Sequence, residues 1–384
     1  MENVIKTAIK NRRILHKSPE LSREEFQTSK FIKEKLMEIG IEVMDSFSGT
    51  SIVGIIRGGM PGPTIGLRAD IDALAIQEVS SKEYKSQKNG VMHACGHDGH
   101  IAMLLAAGEL LYRDRDRIAG NIKLIFQSAE EQYGGAEILV KEGVLEAPSV
   151  DAIYALHIWP TLEKGKIGLK EGPLMASSAV FTVNIKGDSC HGAMPQMGKD
   201  ALVCAAEMVG ALQSVVSRSL NPLDPAVLTI GKLNAGTAFN IIPGEASFTG
   251  TVRTTSNEAE DIIEARMKAI VKGVADACGC RATLDYNRIY PVTINSSKAI
   301  EEAGRIIKRN IGEDSIEKIL LPNMTAEDFS FYLQERDGAM LWLGSKDEAY
   351  NKPLHHESFD FHEEEVMRKG IALLYALGIE AFRK

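Results

Sequence analysis

The sequence predicts an α/β protein, a mainly parallel sheet covered by helices, interrupted by a smaller α+β module. Three observations carry that expectation. The chain has 384 residues, more than one ordinary core organises, so two domains are expected. Through residues 1–175 short apolar runs alternate with stretches of helical periodicity. Through residues 176–287 the order becomes β-α-β-β-α-β, that of a ferredoxin-like unit.

The elements follow in order. "MENVIKTAIKNRRILHK" is an amphipathic charged helix and lacks the pattern of a signal peptide. Ser22 with Glu25 predicts a capping box for a helix ending near Gly40. "IEVM", "SIVGIIRG" and "TIGLRAD" are strands, with Gly-Gly or Pro-Gly turns between the last two. A helix after His97, the strand "NIKLIFQ", the helix "AEILVKEG" and the strand "DAIYALHI" complete the first α/β stretch. The insertion supplies "AVFTVNIKG", a helix from Lys199 to about Ser217, "AVLTIGKL", "EASFTGTVRT", a helix from about Ser256 to Ala277, and "CRATLDYN". From about Arg288 helices and the strand "AMLWLG" return. One domain is therefore expected over 1–175 and 288–384, and an inserted one over 176–287.

Composition narrows the function classes. Hydrophobic content of 44% and charged content of 25% are ordinary for a globular protein, and a net charge of -8 with no basic block argues against a nucleic-acid partner. The sequence shows no apolar run long enough to span a bilayer, so no membrane partner is expected. Five cysteines, an odd number in a long chain, argue against a disulfide framework and for a reducing cytoplasm.

Chemistry concentrates at strand ends, where open α/β sheets gather their sites. Asp70 and Asp72 close "TIGLRADID", Glu130 and Glu131 follow "NIKLIFQ", His157 ends "DAIYALHI", and Cys95 and His97 precede a helix within "MHACGHDGH". Carboxylates, imidazoles and a thiolate together suit a borderline metal rather than an all-oxygen calcium or magnesium site. Other readings compete at this point. Cys95 and His97 could be a nucleophile pair, and "AEE" could be a solvated acidic helix start.

The motifs "RADIDAL", "MHACGHDGH", "QSAEE", "ALHIWP", "HGAMP", "FNIIP", "GTVRT", "AEDFSFY" and "LHHESFDF" occur in one order along nearly the whole chain. In this the chain resembles the metallo-aminoacylase/carboxypeptidase superfamily, and most of all its amidohydrolase branch. The resemblance implies a di-metal catalytic domain with an inserted lid and dimerisation domain. It implies two divalent ions, of zinc, manganese, cobalt or nickel, with Cys95 as bridging thiolate and His97, Glu131 and His157 as ligands. The last ligand comes from "LHHESFDF". Family members place this histidine four residues before an acid, which selects His356, with Asp360, over His355. Asp72 is implied to orient a ligand from behind. Glu130 is implied to be the general base and acid toward a metal-activated water. In the inserted domain, His191 resembles the histidine that reaches a neighbouring subunit's site and stabilises the oxyanion. Asn240 resembles one near the substrate carboxylate, and Arg253 can bind that carboxylate in bidentate fashion. Ser128 stands where the family pattern has proline, which should change loop stiffness.

The expected reaction is hydrolysis of an N-acyl-amino acid to a carboxylic acid and an amino acid, in a homodimer formed through the inserted domain. A carboxypeptidase or dipeptidase using the same site is the alternative, and a non-catalytic metal-binding protein the third reading. His93 and His100 read as loop and helix-face residues. His16 and His362 read as structural or solvated. Cys190, Cys204, Cys278 and Cys280 read as ordinary thiols, with no second pair to make a zinc ribbon of the last two.

Overall fold

The computed structural model describes residues 2–44, 47–132 and 134–382. The first stretch contains α1 (Glu2–Lys17), α2 (Phe26–Ile39), β1 (Glu42–Met44), β2 (Ile52–Arg57), β3 (Met60–Asp70), α3 (His97–Arg113), β4 (Ala119–Gln127), α4 (Gly135–Lys141), β5 (Ala152–Glu163), β6 (Ile167–Leu169) and β7 (Gly172–Met175). Then come β8 (Ser178–Lys186), β9 (Cys190–His191), α5 (Ala201–Ser219), β10 (Ala226–Ala235), β11 (Ile241–Ile242), β12 (Glu245–Thr254), α6 (Asn257–Ala277) and β13 (Arg281–Tyr290). The chain ends with β14 (Thr293–Asn295), α7 (Ser297–Asn310), β15 (Ile316–Lys318), α8 (Ser330–Glu335), β16 (Gly338–Lys346) and α9 (Glu363–Glu380).

Two compact units result. The larger is Met1–Gly172 with Ile294–Leu321 and Asp328–Lys384, and the smaller is Pro173–Thr293 with Pro322–Glu327. The inserted unit thus ends later than residue 287, because β13 runs on to Tyr290, and a second short segment joins it.

In the larger unit an eight-stranded sheet has the order β1-β2-β4-β3-β5-β16-β6-β15. Its centre, β4-β3-β5-β16, is parallel, while β1 and β2 pair antiparallel at one side. Register decides where the chemistry falls. Asp70 of β3 is level with Gln127 of β4, and Arg68 is level with Ala155 of β5, so Asp70 and His157 reach the same height. The continuous apolar run of α3 is buried along most of its length, as expected of a helix enclosed by others, and it packs on α1 and α9.

One local expectation changes, and one residue left open is given a place. Ser22 and Glu25 do not form a capping box. Ser22 donates to Asp72 Oδ2 at 2.6 Å, and buried Glu25 accepts the Ala129 N–H at 2.9 Å. The N-terminus of α2 is instead capped by Glu20, whose Oε2 takes the N–H groups of Gln27 and Thr28 at 2.9 and 2.8 Å. His16 is buried in an ion cluster. Its Nδ1 donates to Asp98 Oδ2 at 2.8 Å and its Nε2 faces Glu78 at 3.4 Å. Arg12, fully buried on the same helix, reaches Asp98, Asp360 and Glu363 at 2.7, 2.8 and 3.1 Å. That cluster ties α1 to α3 and to the start of α9.

The His16 cluster carries a pH prediction. Burial works against the imidazolium, but Asp98 and Glu78 override it and raise His16 to about 9. The folded protein therefore holds a proton that the unfolded chain releases near pH 6.5. The stabilisation, up to about 3 kcal/mol, is complete below that pH and lost as pH rises toward 9. Urea midpoints of the metal-loaded protein should fall between pH 6.5 and 9.5 more steeply than those of His16→Gln. Equal slopes would remove His16 as the cause.

The smaller unit has the antiparallel order β10-β12-β8-β13, with α5 and α6 supplying its core. This is the ferredoxin-like arrangement. By length and composition α5 could cross a bilayer, which the sequence reading did not register. Its Ala201, Cys204, Ala205, Met208, Leu212 and Val215 are buried in the core of this unit.

Candidate metal centre

The "CGH" turn places two donors at the head of α3. Gly96, between Cys95 and His97, takes a left-handed φ of 85°, which a residue with a Cβ adopts only under strain. His97 Nδ1 donates to the Asp72 backbone oxygen at 2.9 Å, so its Nε2 is the nitrogen left facing the site. On β5, His157 Nδ1 donates to Ile158 O at 2.8 Å, and its Nε2 lies 3.6 Å from Cys95 Sγ.

Beyond β4 the chain turns through Ala129, a non-glycine residue at φ 57°, and delivers Glu130 and Glu131. Two contacts pin this turn. Ser128 N–H donates to Ser51 Oγ at 3.0 Å, a bond that proline could not make, and Ala129 N–H meets Glu25. The Glu131 N–H donates to Asp72 Oδ2 at 3.0 Å. Asp72 thus holds His97 and Glu131 together, its second carboxylate oxygen lying 3.4 Å from His97 Nδ1.

His97 Nε2 and Glu131 Oε1, 3.8 Å apart, are both buried without a hydrogen-bond partner. The donors fall into two sets, each with its ligand atoms within 4.8 Å of one another: Cys95, His97 and His157, and Cys95, Glu131 and His355. Cys95 is common to both. Glu130, itself buried, forms a further set of this kind with His97 and Glu131.

The last donor differs from the sequence expectation. His355 Nε2 is 3.4 Å from Glu131 Oε1, and the His355 N–H donates to Ala94 O at 2.8 Å beside the "CGH" turn. His355 reaches this position with a φ of 62°. His356 is turned into its own loop, its Nδ1 accepting the Ser358 N–H at 3.0 Å. Asp360, invoked to choose between the two, is engaged by Arg12 and Tyr84. The geometry therefore favours His355 over the member of the pair that the acid four residues on selects.

Electrostatics agree with a donor set built for cations. Burial, then Glu131, Glu130 and Asp70, push the Cys95 thiol well above its usual range. Burial would lower His97, but Asp70, Asp72 and Glu131 raise it to about 10. Burial, with His100 beside it, holds His157 near 3. A thiol facing three carboxylates gives up its proton when a divalent ion offsets their charge, and the unpartnered imidazole nitrogen and carboxylate oxygen are suitable ligands. The residues fit a two-ion centre.

Behind the donors lies a layer that the sequence reading left out. His100, expected as a helix-face residue, donates from Nδ1 to Asp70 at 2.6 Å and accepts the Ile158 N–H at Nε2 at 3.0 Å. Arg68, fully buried, binds Asp70 and Asp328 at 2.8 and 2.9 Å. The two tryptophans of the chain also stand here, Trp159 stacked on Trp342 at 4.0 Å and 5.8 Å from the His157 ring.

The remaining expected residues belong to the smaller unit. His191 and Asn240 are exposed neighbours: His191 pairs with Ile241, and Gly192 N–H donates to Asn240 O at 2.8 Å. Arg253 is half-buried and donates to Ser178 Oγ. Among the described residues Arg253 has no carboxylate partner, and burial lowers its pKa.

Comparison with known proteins places this geometry in context. Residues 66–379 match the model of peptidase family M20/M25/M40. The chain is 38% identical to hippurate hydrolase of Campylobacter jejuni, covering 94% of this chain and 92% of that protein. It is also 38% identical to N-acetyl-L-cysteine deacetylase of Bacillus subtilis, covering 93% and 84%. Among solved structures it resembles the Bacillus subtilis YXEP protein, described as a dinuclear metal-binding peptidase of the M20 family. That likeness has a TM-score of 0.86 and 32% identity, over 98% of both chains.

Proposed function

The chain belongs to peptidase family M20/M25/M40, and from that premise we propose that it hydrolyses N-acyl-amino acids to a carboxylic acid and a free amino acid. It is a metal-dependent amidohydrolase. The observation that supports the finer reading is the pair of donor sets sharing Cys95, with Glu130 beside them.

Cys95, His97 and His157 would hold one ion, and Cys95, Glu131 and His355 the other. The donor set suits zinc, manganese, cobalt or nickel. When bound, the ions supply Lewis acidity, polarising the amide carbonyl and lowering the pKa of the attacking water. Glu130 takes the proton of that water and delivers it to the leaving nitrogen. Asp72 fixes the His97 ring through its backbone oxygen and anchors the Glu131 backbone through its carboxylate, so both residues enter the site from a fixed position.

Arg253 is assigned to the substrate carboxylate, with Asn240 nearby, and His191 to the oxyanion in the site of a second copy. That role requires a homodimer through the smaller unit. All five cysteines are free, and a reducing cytoplasm is the setting proposed for the chain.

A panel of N-acetyl- and N-benzoyl-amino acids, with dipeptides carrying a free amine, tests the substrate class. The acylated amino acids should show kcat/KM values at least about tenfold above their dipeptide counterparts, since a free ammonium would need a buried acid in the acyl pocket. A preference for dipeptides would convert the enzyme to a peptidase with the same site.

A further inference from the structure

In the core of the smaller unit, three of the thiols expected to be unconnected are brought together. Cys204 and Glu207 stand one turn apart on one face of α5. Cys278 and Cys280 follow α6, and Gly279 between them takes a left-handed φ of 67°. The helix end closes with Gly279 N–H to Asp276 O at 3.1 Å and Cys280 N–H to Ala275 O at 2.9 Å. This is the arrangement that reverses a chain under the end of its helix, and here it turns both thiols onto α5. Cys278 Sγ lies 3.4 Å from Glu207 Oε2. Cys280 Sγ lies 3.9 Å from Asp200 O, the carbonyl that also accepts the Cys204 N–H at 3.1 Å. Cys204, between Asp200 and Glu207, interacts through its thiol with both Cys278 and Cys280.

We infer that Cys204, Cys278 and Cys280, with Glu207, form a second metal site for a soft divalent ion of the zinc or cadmium class. Three sulfur donors and one oxygen match that class, whereas harder ions prefer oxygen throughout. Cys204 and Cys280 are buried, and Cys278 is half-exposed beside exposed Glu207, so the cluster opens to solvent on one side. Binding forms metal–sulfur bonds, releases the thiol protons to solvent and changes no oxidation state. Burial, then the neighbouring Cys278 thiol, pushes Cys204 up to about 12, so ionisation of the cluster calls for a compensating cation. An ion there would clamp the first turns of α5 to the chain leaving α6. Its effect is on the stability of this unit and not on amide chemistry.

The test uses the metal-loaded enzyme, reduced and freed of excess reductant, titrated with cadmium at micromolar concentration. The Cys95→Ser background should bind one further cadmium per chain, with a thiolate–cadmium ultraviolet band and a rise in Tm. Adding Cys278→Ser and Cys280→Ser should remove the ion, the band and the Tm rise. In wild-type Cys95, the same two substitutions should leave N-acyl-amino-acid hydrolysis unchanged. Cys204→Ala should repeat the loss from the other element, so that one unfolded variant does not decide the matter. Equal cadmium uptake with and without the three thiols would overturn the site. So would a two-dalton mass loss joining Cys204 to Cys278 in the metal-free protein as isolated, before any reductant is added, since that marks a disulfide pair.

Discussion

Glu130→Gln should keep both metal ions and its affinity for substrate while kcat falls by a factor of at least about a hundred. That is the usual contribution of one positioned general base. The substitution keeps the size of a side chain that is buried beside His97 and Glu131, and removes only the basic oxygen. Its effect should therefore appear in single-turnover chemistry and not in KM. Metal occupancy has a readout separate from activity. With Trp159 5.8 Å from His157 and stacked on Trp342, and no other tryptophan in the chain, cobalt binding should quench the fluorescence. The Glu130→Gln titration should overlay that of the wild type. Glu131→Gln should shift it to higher cobalt concentrations, with partial recovery of activity in excess metal. The reverse pattern would exchange the roles of the two glutamates. Undiminished kcat in Glu130→Gln would remove the proposed proton carrier and return Cys95 to consideration as a nucleophile.

How much of this was legible depends on the range of the interaction. The strands through Asp70, Gln127 and His157 were readable because apolar runs between turn residues are local signals, and parallel pairing then aligns their carboxyl ends. The "CGH" turn was readable because its glycine sits between two donors. The cap of α2 was not, since Ser22 and Glu25 have the right spacing but stronger distant partners, Asp72 and Ala129. Local pattern carries no record of such competition. The partners of His16 and His100 were hidden for the same reason: Asp98 and Asp70 are 82 and 30 residues away in the chain, so His16 could be read only as structural or solvated and His100 only as a helix-face residue. The thiol cluster of the smaller unit combines a "CGC" too short to suggest a ligand set with a cysteine and a glutamate more than 70 residues earlier.

The histidine doublet is the sharpest case, and it supplies the second large effect. His355→Ala should lose one of the two ions and cut activity by more than about a hundredfold. Removal of an outer partner alone costs about 10- to 100-fold, and a ligand should cost more. His356→Ala should retain both ions and most of the activity. Sequence pattern favours His356, because an acid follows four residues later. Geometry favours His355, because the doublet sits on a turn where adjacent side chains diverge. His355 takes the left-handed conformation at φ 62°, held by its N–H to Ala94 O, and that brings its Nε2 to 3.4 Å from Glu131. A non-glycine residue held at positive φ costs about 1–3 kcal/mol, a cost that persists where the surrounding structure fixes it. His355→Gly therefore makes a useful companion: it relieves the backbone but removes the imidazole. If the imidazole is the ligand, His355→Gly should be as stable as the wild type or more so in the metal-free state, yet as poor in metal as His355→Ala. Metal analysis by mass spectrometry on the three variants decides it. Full occupancy in His355→Ala together with loss in His356→Ala would restore the sequence assignment and require the loop to rearrange when the ions bind.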